Sequence, residues 1–294
     1  MARDLTVVLG GSGDIGSVLV AQLKENHDSF LAPTSKQADL TDAESTQNFF
    51  TSINESYSVV FAAFLDRRQG DNEETLKLNL LMVENVINFA KPSSLVFLSS
   101  MDVYGKTPKL PITENTLTDD AFFYSRAKLL AESKLFQTFA EKIDLLVLRL
   151  PGVYGGQGPR NAALDRILEK GIKERLINVG GGGLLLRDWI YAGEVARFLI
   201  EWLNQPNSGT YNFATGESWT INHYISECIS GLGNIRHEIV AVDEAKKSNF
   251  GADHVFDNEK FNAAFAGWKF ENRLSSLKTF STLVQDHLNK AKLI

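Results

Sequence analysis

Short apolar runs alternate with segments of helical periodicity through the first half of this chain, and this alternation restricts the fold more than any other feature. The runs that predict buried strands are "LTVVLG" (5–10), "SFLAPTS" (29–35), "YSVVFAAF" (57–64), "SLVFLSS" (94–100) and "DLLVLRLPGVYG" (144–155). The segments that predict the helices between them are about 14–24, 43–53, 73–91 and a stretch that begins near Tyr124. Strands that alternate with helices form a parallel sheet through right-handed crossovers, and the helices cover both of its faces. We therefore predict an α/β fold with a doubly wound parallel sheet.

Gly10, Gly13 and Gly16 mark the end of the first predicted strand and the opening of the first predicted helix, in "VVLGGSGDIGSVLV". Glycine permits a tight turn there and lets phosphate oxygens approach the backbone N–H groups at the helix N-terminus, where the helix dipole is positive. The spacing G-x-x-G-x-x-G is one residue wider at its front than the usual dinucleotide fingerprint, but its strand and helix context is the required one. We predict a dinucleotide site rather than a purely structural turn. The residues assigned to it are Gly10, Ser12, Gly13, Asp14, Ile15 and Gly16.

The residues after the second predicted strand bear on the identity of the cofactor. An acidic residue there would hydrogen-bond the adenine ribose of NAD, whereas the 2′-phosphate of NADP needs cationic or hydroxyl partners. The chain reads "LAPTSKQADL", so Ser35 and Lys36 stand there and no carboxylate comes before Asp39. We therefore predict NADP as the cofactor, with NAD as the alternative if Lys36 belongs to an ordinary solvated loop.

The sequence changes character after Pro151. Glycines cluster at 155–158 and 180–183, and "LINVGGGG", "GTYNFATGE" and "HEIVAV" predict short, isolated strands among loops. We predict a dinucleotide-binding domain over residues 1–150, to which about 184–203 returns. Residues 151–294 would mainly form a smaller C-terminal α/β region that binds the substrate.

Charge and cysteine content argue against several classes of function. A formal net charge of −6 leaves no basic surplus for nucleic-acid phosphates, so we expect no nucleic-acid partner. The single cysteine, Cys228, excludes disulfides within the chain, and the five scattered histidines have no metal-ligand spacing, so no metal site is expected. No stretch approaches the ~18 apolar residues of a membrane span, and no signal peptide is recognisable. We expect a cytoplasmic protein.

Tyr124 and Lys128 lie four residues apart in "DDAFFYSRAKLLAESKLF", where a helix is predicted to begin. Positions i and i+4 share one helical face, so both side chains can point at the same spot. An ammonium near a phenol lowers the phenol's pKa, which starts near ~10. The pair is therefore a candidate for proton transfer, although an ordinary amphipathic helix has the same spacing.

The chain resembles the extended short-chain dehydrogenase/reductase family, in particular its nucleotide-sugar branch, nearly from end to end. The motifs that carry the resemblance are "GGSGDIG" (10–16), "ADLTD" (38–42), "FLSSMDVYG" (97–105), "YSRAK" (124–128), "RDWIYAGEVA" (187–196) and "DNEKFNAAFAGW" (257–268). Each motif is weak alone, but their shared order is specific. The resemblance implies a Rossmann-type doubly wound sheet and an NAD(P)-dependent enzyme.

The same resemblance implies roles for individual residues. Tyr124 would donate and accept the proton, and Lys128 would lower the pKa of Tyr124 and hold the nicotinamide ribose. Ser100 would hydrogen-bond the same substrate oxygen, unless Ser99 takes that role one register away. Asp39 would contact adenine. The remaining cofactor contacts are assigned to Leu40, Ala62 and Ala63.

Two arginines are candidate anion contacts for the substrate. Arg187 matches the family arginine that grips the substrate's diphosphate, although it could instead form a structural ion pair with Asp188 or Glu194. Arg160, in "GGQGPRNAAL", precedes a predicted helix and is a further candidate.

Two departures from the family pattern bear on the reaction. Family dehydratases carry Thr-Asp-Glu where this chain has Ser100, Met101 and Asp102. Because Met101 cannot donate a proton, we do not expect sugar 4,6-dehydration; Asp102 is a candidate additional base or a loop-capping carboxylate. Gly152 stands where many sugar-nucleotide members have asparagine, so one phosphate-side hydrogen bond that the resemblance implies is lost.

We expect an NADPH-dependent reductase of a 4-keto-6-deoxy nucleotide sugar. An NAD-dependent nucleotide-sugar epimerase is the alternative, because it uses the same residues. A non-catalytic NADP-sensing protein is disfavoured, because such proteins commonly lose the tyrosine or the lysine. The resemblance also implies a homodimer through the predicted helices at about 73–91 and 124–140, although packing onto the sheet explains part of their apolar stripes.

Overall fold

The structure is a computed structural model that describes residues 4–156, 162–179, 183–230, 232, 236–239 and 251–291. Within these ranges the strands are β1 (Leu5–Leu9), β2 (Phe30–Leu31), β3 (Tyr57–Phe61), β4 (Ser94–Ser100), β5 (Asp144–Leu150), β6 (Val153–Tyr154), β7 (Leu176–Val179), β8 (Leu186–Arg187), β9 (Ile190–Tyr191), β10 (Gly209–Asn212), β11 (Trp219–Thr220) and β12 (Arg236–Ile239). The helices are α1 (Asp14–Glu25), α2 (Ala43–Thr51), α3 (Glu73–Phe89), α4 (Phe123–Phe139), α5 (Ala163–Glu174), α6 (Ala192–Asn204), α7 (Ile221–Ile229), α8 (Glu259–Ala264) and α9 (Arg273–Ala291). None of the helices in the described part of the chain has the length and apolarity needed to cross a bilayer.

The central sheet has six strands in the order β10-β5-β4-β3-β1-β2. Every neighbouring pair is parallel. All residues of β1 and β3 are buried, as expected for strands that are covered on both faces. The structure thus confirms the predicted α/β class and doubly wound parallel sheet.

The helices form one core on each face of the sheet. On one face, α1 packs beside α6, and Leu19, Phe198 and Trp202 are buried in the same cluster. On the other face, α3 packs beside α4, and Val83 and Leu135 belong to a second cluster. Two separate apolar layers therefore fix the sheet between them.

Polar caps start two of the predicted helices. The Asp42 carboxylate accepts a hydrogen bond from Ser45 N at 2.6 Å before α2. Asn72 and Thr75 form a reciprocal capping box before α3, in which each side chain accepts from the other's backbone N–H. Such caps satisfy N–H groups that have no partner inside the helix, and both helices begin where the sequence predicts.

Four of the predicted strands need correction. The stretch "GTYNFATGE" contains β10, which pairs with β5 in the central sheet and is not isolated. The stretches "LINVGGGG" and "HEIVAV" include residues of β7 and β12, and these two strands pair with each other. The predicted strand 29–35 is shortened to β2, because Pro33 has no N–H for the ladder and Thr34 begins a turn at this sheet edge.

The second region has a core of its own. Tyr154 is buried against Phe280 with ring centroids 5.2 Å apart, and its hydroxyl lies 2.7 Å from Ser276 Oγ. Tyr224 on α7 belongs to the same cluster, together with residues of α5 and α9. This cluster holds α5, α7 and α9 together beside the central sheet.

The start of α1 gives a prediction about stability. A Cβ added at Gly16 would lie 2.1 Å from Gly10 O, whereas one added at Gly267 meets no described atom within 4 Å. We expect Gly16→Ala to lower the free energy of unfolding by about 1–3 kcal/mol, because backbone has to move. Gly267→Ala is the matched control and should change it by less than about 0.5 kcal/mol. Urea denaturation followed by circular dichroism measures both, and equal midpoints would contradict the crowding.

Candidate active site

A cleft of about 850 Å³ lies at the carboxyl ends of the parallel strands. Its floor includes Gly10 after β1, Ala62 after β3 and Ser100 at the end of β4. Its opposite wall includes Trp189 and Ala163 of the second region. The chain leaves β1 toward β2 on one side and returns through β3 on the other, and ligands of open α/β sheets bind at such a switch point.

The glycine turn forms one end of this cleft. Gly13 is the N-cap of α1, and no side chain in the described part of the chain caps it. Gly10 has φ 87°, and a Cβ there would lie 2.6 Å from Ala63 N. The bare backbone and the helix N-terminus fit a dinucleotide diphosphate. The predicted cofactor residues that line the cleft are Gly10, Ser12, Gly13, Asp14, Ile15, Gly16, Ala62, Ala63 and Lys128.

Four other predicted cofactor residues lie outside the lining of the cleft. Ser35 and Lys36 are exposed in the turn after β2, which is also at the carboxyl edge of the sheet. Asp39 accepts hydrogen bonds from Thr41 N at 2.9 Å and Thr41 Oγ1 at 2.7 Å, so its carboxylate organises its own loop. Leu40 is buried in the core.

The four predicted catalytic residues, Ser100, Asp102, Tyr124 and Lys128, all line the same cleft. Tyr124 lies in the first turn of α4. Lys128 follows one helical turn later, and its Nζ donates to Leu98 O at 2.7 Å. The same Nζ lies 5.6 Å from the Tyr124 ring centroid and 3.7 Å from that of Phe64.

The alternation of side chains along β4 separates the two adjacent serines. The Ser100 side chain lowers the pKa of Tyr124, and its Oγ accepts from Asp102 N at 3.1 Å. Ser99 is buried and donates to Glu132. The Ser99 hydroxyl is therefore used by Glu132, and Ser100 is the serine whose side chain acts on Tyr124.

The pKa shifts of Tyr124 and Lys128 differ from those expected from the sequence. Burial raises the pKa of Tyr124, and the Asp102 and Asp66 carboxylates raise it further, against a smaller lowering by Ser100 and Arg68. Burial lowers the pKa of Lys128 to about 7. The expected lowering of the Tyr124 pKa by Lys128 is therefore not found, because burial acts on both groups and disfavours both charged forms.

Asp102 faces the cleft beside an arginine. Burial raises the pKa of its carboxyl group, while the Arg67 guanidinium, with Nη1 3.9 Å from Asp102 Oδ2, lowers it. Among the described residues its carboxylate caps no backbone N–H, so the loop-capping interpretation is not supported. The carboxylate lies where a substrate hydroxyl could reach it.

The sequence analysis missed several residues that line the cleft. Asp66, Arg67, Arg68 and Gln69 form the loop after β3, and Arg166 lies in the first turn of α5. The available signal was the position of "DRRQ" directly after a predicted strand, at the sheet edge where ligands bind.

Of the two arginines predicted to bind substrate, Arg187 does not line the cleft. Arg187 Nη1 donates to Leu186 O at 2.7 Å and to Ala252 O at 2.8 Å, and Arg187 is absent from the cleft lining. Burial lowers its pKa. Arg160 lies outside the described residues.

The structural ion pairs considered for Arg187 are wrong. Asp188 pairs instead with Arg273 at 3.0 Å, and Glu194 pairs with Arg197 at 2.7 Å. Both acids are buried, so these pairs hold the second region and α6 in place.

A tryptophan explains the glycine at position 152. A Cβ on Gly152 would lie 2.2 Å from Cδ1 of Trp189, so the indole fills the space that any larger residue would need. Both residues line the cleft. The wall here is a flat aromatic edge rather than an amide.

Comparisons with known proteins identify the relatives of this chain. A model of the NAD dependent epimerase/dehydratase family matches residues 6–214. A putative UDP-glucose 4-epimerase of Methanocaldococcus jannaschii is 25% identical over 298 aligned residues, which cover 91% of this chain and 93% of that protein.

Solved structures share the fold. The RMD protein of Pseudomonas aeruginosa, complexed with NADPH, superposes with a TM-score of 0.81 at 22% identity, covering 97% of this chain and 98% of the other. The UDP-glucose 4-epimerase of Thermotoga maritima, with UDP-glucose, gives 0.76 at 21% identity, covering 97% and 99%. Since the family model spans most of the chain, the protein belongs to the NAD dependent epimerase/dehydratase family of enzymes.

Proposed function

We propose that this protein is an NADPH-dependent reductase of a 4-keto-6-deoxy nucleotide sugar. The observation that carries the proposal is the meeting of Ser100, Tyr124 and Lys128 in the cleft that begins at the glycine turn. NADPH, when bound, supplies the hydride. Tyr124 donates its phenolic proton to the substrate oxygen, and Ser100 donates a hydrogen bond to the same oxygen as negative charge develops there. The raised pKa of Tyr124 suits this role, because it keeps the phenol protonated.

Features of the second region support a nucleotide-sugar substrate. The N-terminus of α5 and Arg166 face the cleft from the wall opposite the glycine turn. A helix N-terminus and an arginine both favour a diphosphate. Arg166 thus joins Arg160 as a proposed diphosphate contact, whereas the position of Arg187 outside the cleft lining does not support the role predicted for it. The similar proteins named above include one with UDP-glucose bound.

Two observations support NADP as the cofactor. Lys36 and Ser35 are exposed at the carboxyl end of β2, and no carboxylate precedes Asp39 there. A cation and a hydroxyl suit the 2′-phosphate. The RMD structure was solved with NADPH.

An NAD-dependent nucleotide-sugar epimerase is the second candidate. The relative from Methanocaldococcus jannaschii carries a putative UDP-glucose 4-epimerase name, and it matches nearly the whole chain. Epimerisation consumes no external cofactor, so NADPH consumption distinguishes the two. A non-catalytic NADP sensor remains less well supported, since Ser100, Tyr124 and Lys128 are all present.

The reductase proposal predicts the effect of removing the phenol. We expect the wild-type protein to oxidise NADPH faster than NADH with a panel of 4-keto-6-deoxy nucleotide sugars. Tyr124→Phe should lower kcat about 10²–10⁴-fold, because it removes the proton donor, and should leave the NADPH dissociation constant within about twofold. Tyr57→Phe is the control, since Tyr57 lies in the core away from the cleft and its hydroxyl accepts from Lys91 N at 2.7 Å. Tightly bound NAD with no NADPH turnover would instead favour the epimerase.

The lowered pKa of Lys128 predicts a pH dependence. Lys128 is protonated in the free protein only below its pKa of about 7, so its positive charge is lost as the pH rises through that value. We expect kcat/KM for NADPH to fall above that pH, approaching about tenfold per pH unit, because kcat/KM reports groups of the free enzyme. Tyr57→Phe is the control and should show the same fall in kcat/KM above that pH. A profile that is flat from about pH 6 to about pH 9 would contradict a role for the protonated lysine.

We also propose a homodimer formed through α3 and α4. Leu81 on α3 and Leu130 and Phe136 on α4 are exposed, and Phe136 exposes 64% of its surface. Large apolar side chains in water on two packed helices favour an interface. Four helices from two copies would cover them.

The dimer proposal predicts a mass. Light scattering should return twice the chain mass of 32.6 kDa for the wild type and the single-chain mass for Phe136→Lys, because a charge would be buried in the interface. Leu117→Lys is the control, since Leu117 is 88% exposed and lies outside both helices. A single-chain mass for the wild type would rule the dimer out.

A further inference from the structure

The loop after β3 brings two arginines to the catalytic end of the cleft, and its own hydrogen bonds fix its shape. Arg68 N donates to Asp66 Oδ1 at 2.8 Å, and Gln69 N donates to Asp66 O at 3.0 Å. Asp66 N donates in turn to Gln69 Oε1 at 3.1 Å. Since residues 66 and 69 close the turn on each other, the side chains of Arg67 and Arg68 are held at the cleft.

Arg67 and Arg68 differ in how many of their N–H donors already form hydrogen bonds within the protein. Arg68 Nε donates to Asp66 Oδ2 at 2.8 Å, and its Nη2 lies 3.5 Å from Asp14 Oδ2. Arg67 reaches its carboxylate neighbours only at 3.7 Å (Asp71) and 3.9 Å (Asp102), which is too far for good hydrogen bonds. Among the described residues, Arg67 therefore keeps its N–H donors for another partner.

Packing holds the Arg67 guanidinium in place without using those donors. Its Cζ lies 3.6 Å from the centroid of the Phe122 ring, a distance typical of a cation–π contact. The side chain is still 43% exposed. The group is thus positioned by an aromatic face and open toward the cleft.

Both carboxylates next to Arg67 also adjoin Tyr124. Asp71 Oδ1 accepts from Tyr124 N at 3.0 Å. The charge on Asp102 acts on the Tyr124 phenol and raises its pKa. A sugar whose carbonyl oxygen contacts Tyr124 would therefore present its neighbouring ring substituents to Arg67 and Asp102.

We propose that Arg67 selects the sugar by donating hydrogen bonds to oxygen substituents beside the reacting carbonyl, while Asp102 accepts one from a ring hydroxyl. This inference rests on the proposed nucleotide-sugar substrate and narrows its class. Asp66 pairs with Arg68, and Asp71 and Asp102 both flank Arg67. Because the Arg67 guanidinium already lies between two carboxylates, the site suits a neutral, hydroxylated sugar rather than a hexuronic acid.

The test compares Arg67→Met with Arg126→Met. Methionine keeps an apolar stem over Phe122 and removes every donor. Arg126 is a matched control, because its Cζ lies 5.8 Å from the Phe123 ring centroid and its Nε lies 2.8 Å from Asp120 Oδ2, outside the cleft lining. Calorimetry on the NADPH complexes would measure UDP-glucose, GDP-mannose and dTDP-glucose against UDP, GDP and dTDP, so that the sugar contribution is separated from the nucleotide contribution.

We expect Arg67→Met to weaken binding of the preferred nucleotide sugar by about tenfold or more, as for loss of a hydrogen bond to a charged group. Binding of the bare nucleoside diphosphate and of NADPH should stay within about twofold, and Arg126→Met should match the wild type throughout. The assignment would be overturned if Arg67→Met lost the same affinity for the nucleotide sugar as for the bare nucleoside diphosphate. It would also be overturned if the wild type bound these two ligands equally tightly. UDP-glucuronate bound more tightly than UDP-glucose would overturn the neutral-sugar class.

Turnover separates this inference from the proposed reductase. If Arg67→Met loses the sugar contribution while the wild type oxidises no NADPH with any keto sugar, the reductase function fails and the role of Arg67 stands. If the wild type oxidises NADPH with a keto sugar and Arg67→Met binds the nucleotide sugars as the wild type does, the reductase function stands and the role of Arg67 fails.

Discussion

A buried ion pair between Glu132 and Arg149 joins the helix that carries Tyr124 and Lys128 to the sheet that carries Ser100. Arg149 Nη2 lies 2.7 Å from Glu132 Oε2, and the two side chains are only 10% and 11% exposed. Ser99 donates to the same glutamate. Removing one partner of such a pair typically costs ~3–5 kcal/mol, because the other charge stays buried alone. Glu132 also raises the pKa of Lys128 against the effect of burial, so one contact both fixes α4 and influences the charge state of the site.

The second half of the chain completes the first core rather than only capping it. β10 extends the central sheet, and Phe213, Phe261 and Trp268 are buried in the cluster that includes α1 and α6. Ile190, next to Trp189 in the chain, is buried in the same cluster, so this wall of the cleft is attached to the same framework as the glycine turn. Substrate-side and cofactor-side residues are held in one arrangement by shared apolar packing.

The parts of the fold that could be predicted from sequence are those specified by local pattern. The alternation of apolar runs and the i, i+4 spacing of Tyr124 and Lys128 act over a few residues, and the structure has helices and central strands at these places, with β2 shortened. The membership of β10 in the central sheet could not be predicted this way, because it depends on a pairing with β5 more than 60 residues earlier in the chain. Short strands carry no signal for their partners.

The candidate site could likewise be predicted from the sequence only in part. The positions of Ser100 and Lys128 at the cleft follow from motif order, but the direction of the Tyr124 pKa depends on burial, which no motif encodes. The hydrogen bonds of Arg187 to Leu186 O and Ala252 O depend on a remote loop. The arginines after β3 resemble an ordinary solvated loop in sequence, and only the folded sheet brings them to Tyr124.

The partial protonation of Lys128 near neutral pH has a thermodynamic consequence for cofactor binding. Near neutrality the buried lysine is only partly charged, with a pKa of about 7. An anionic dinucleotide placed beside it would raise that pKa, so the complex would take up protons from the solvent as it forms. The heat of association would then include the ionisation heat of the buffer.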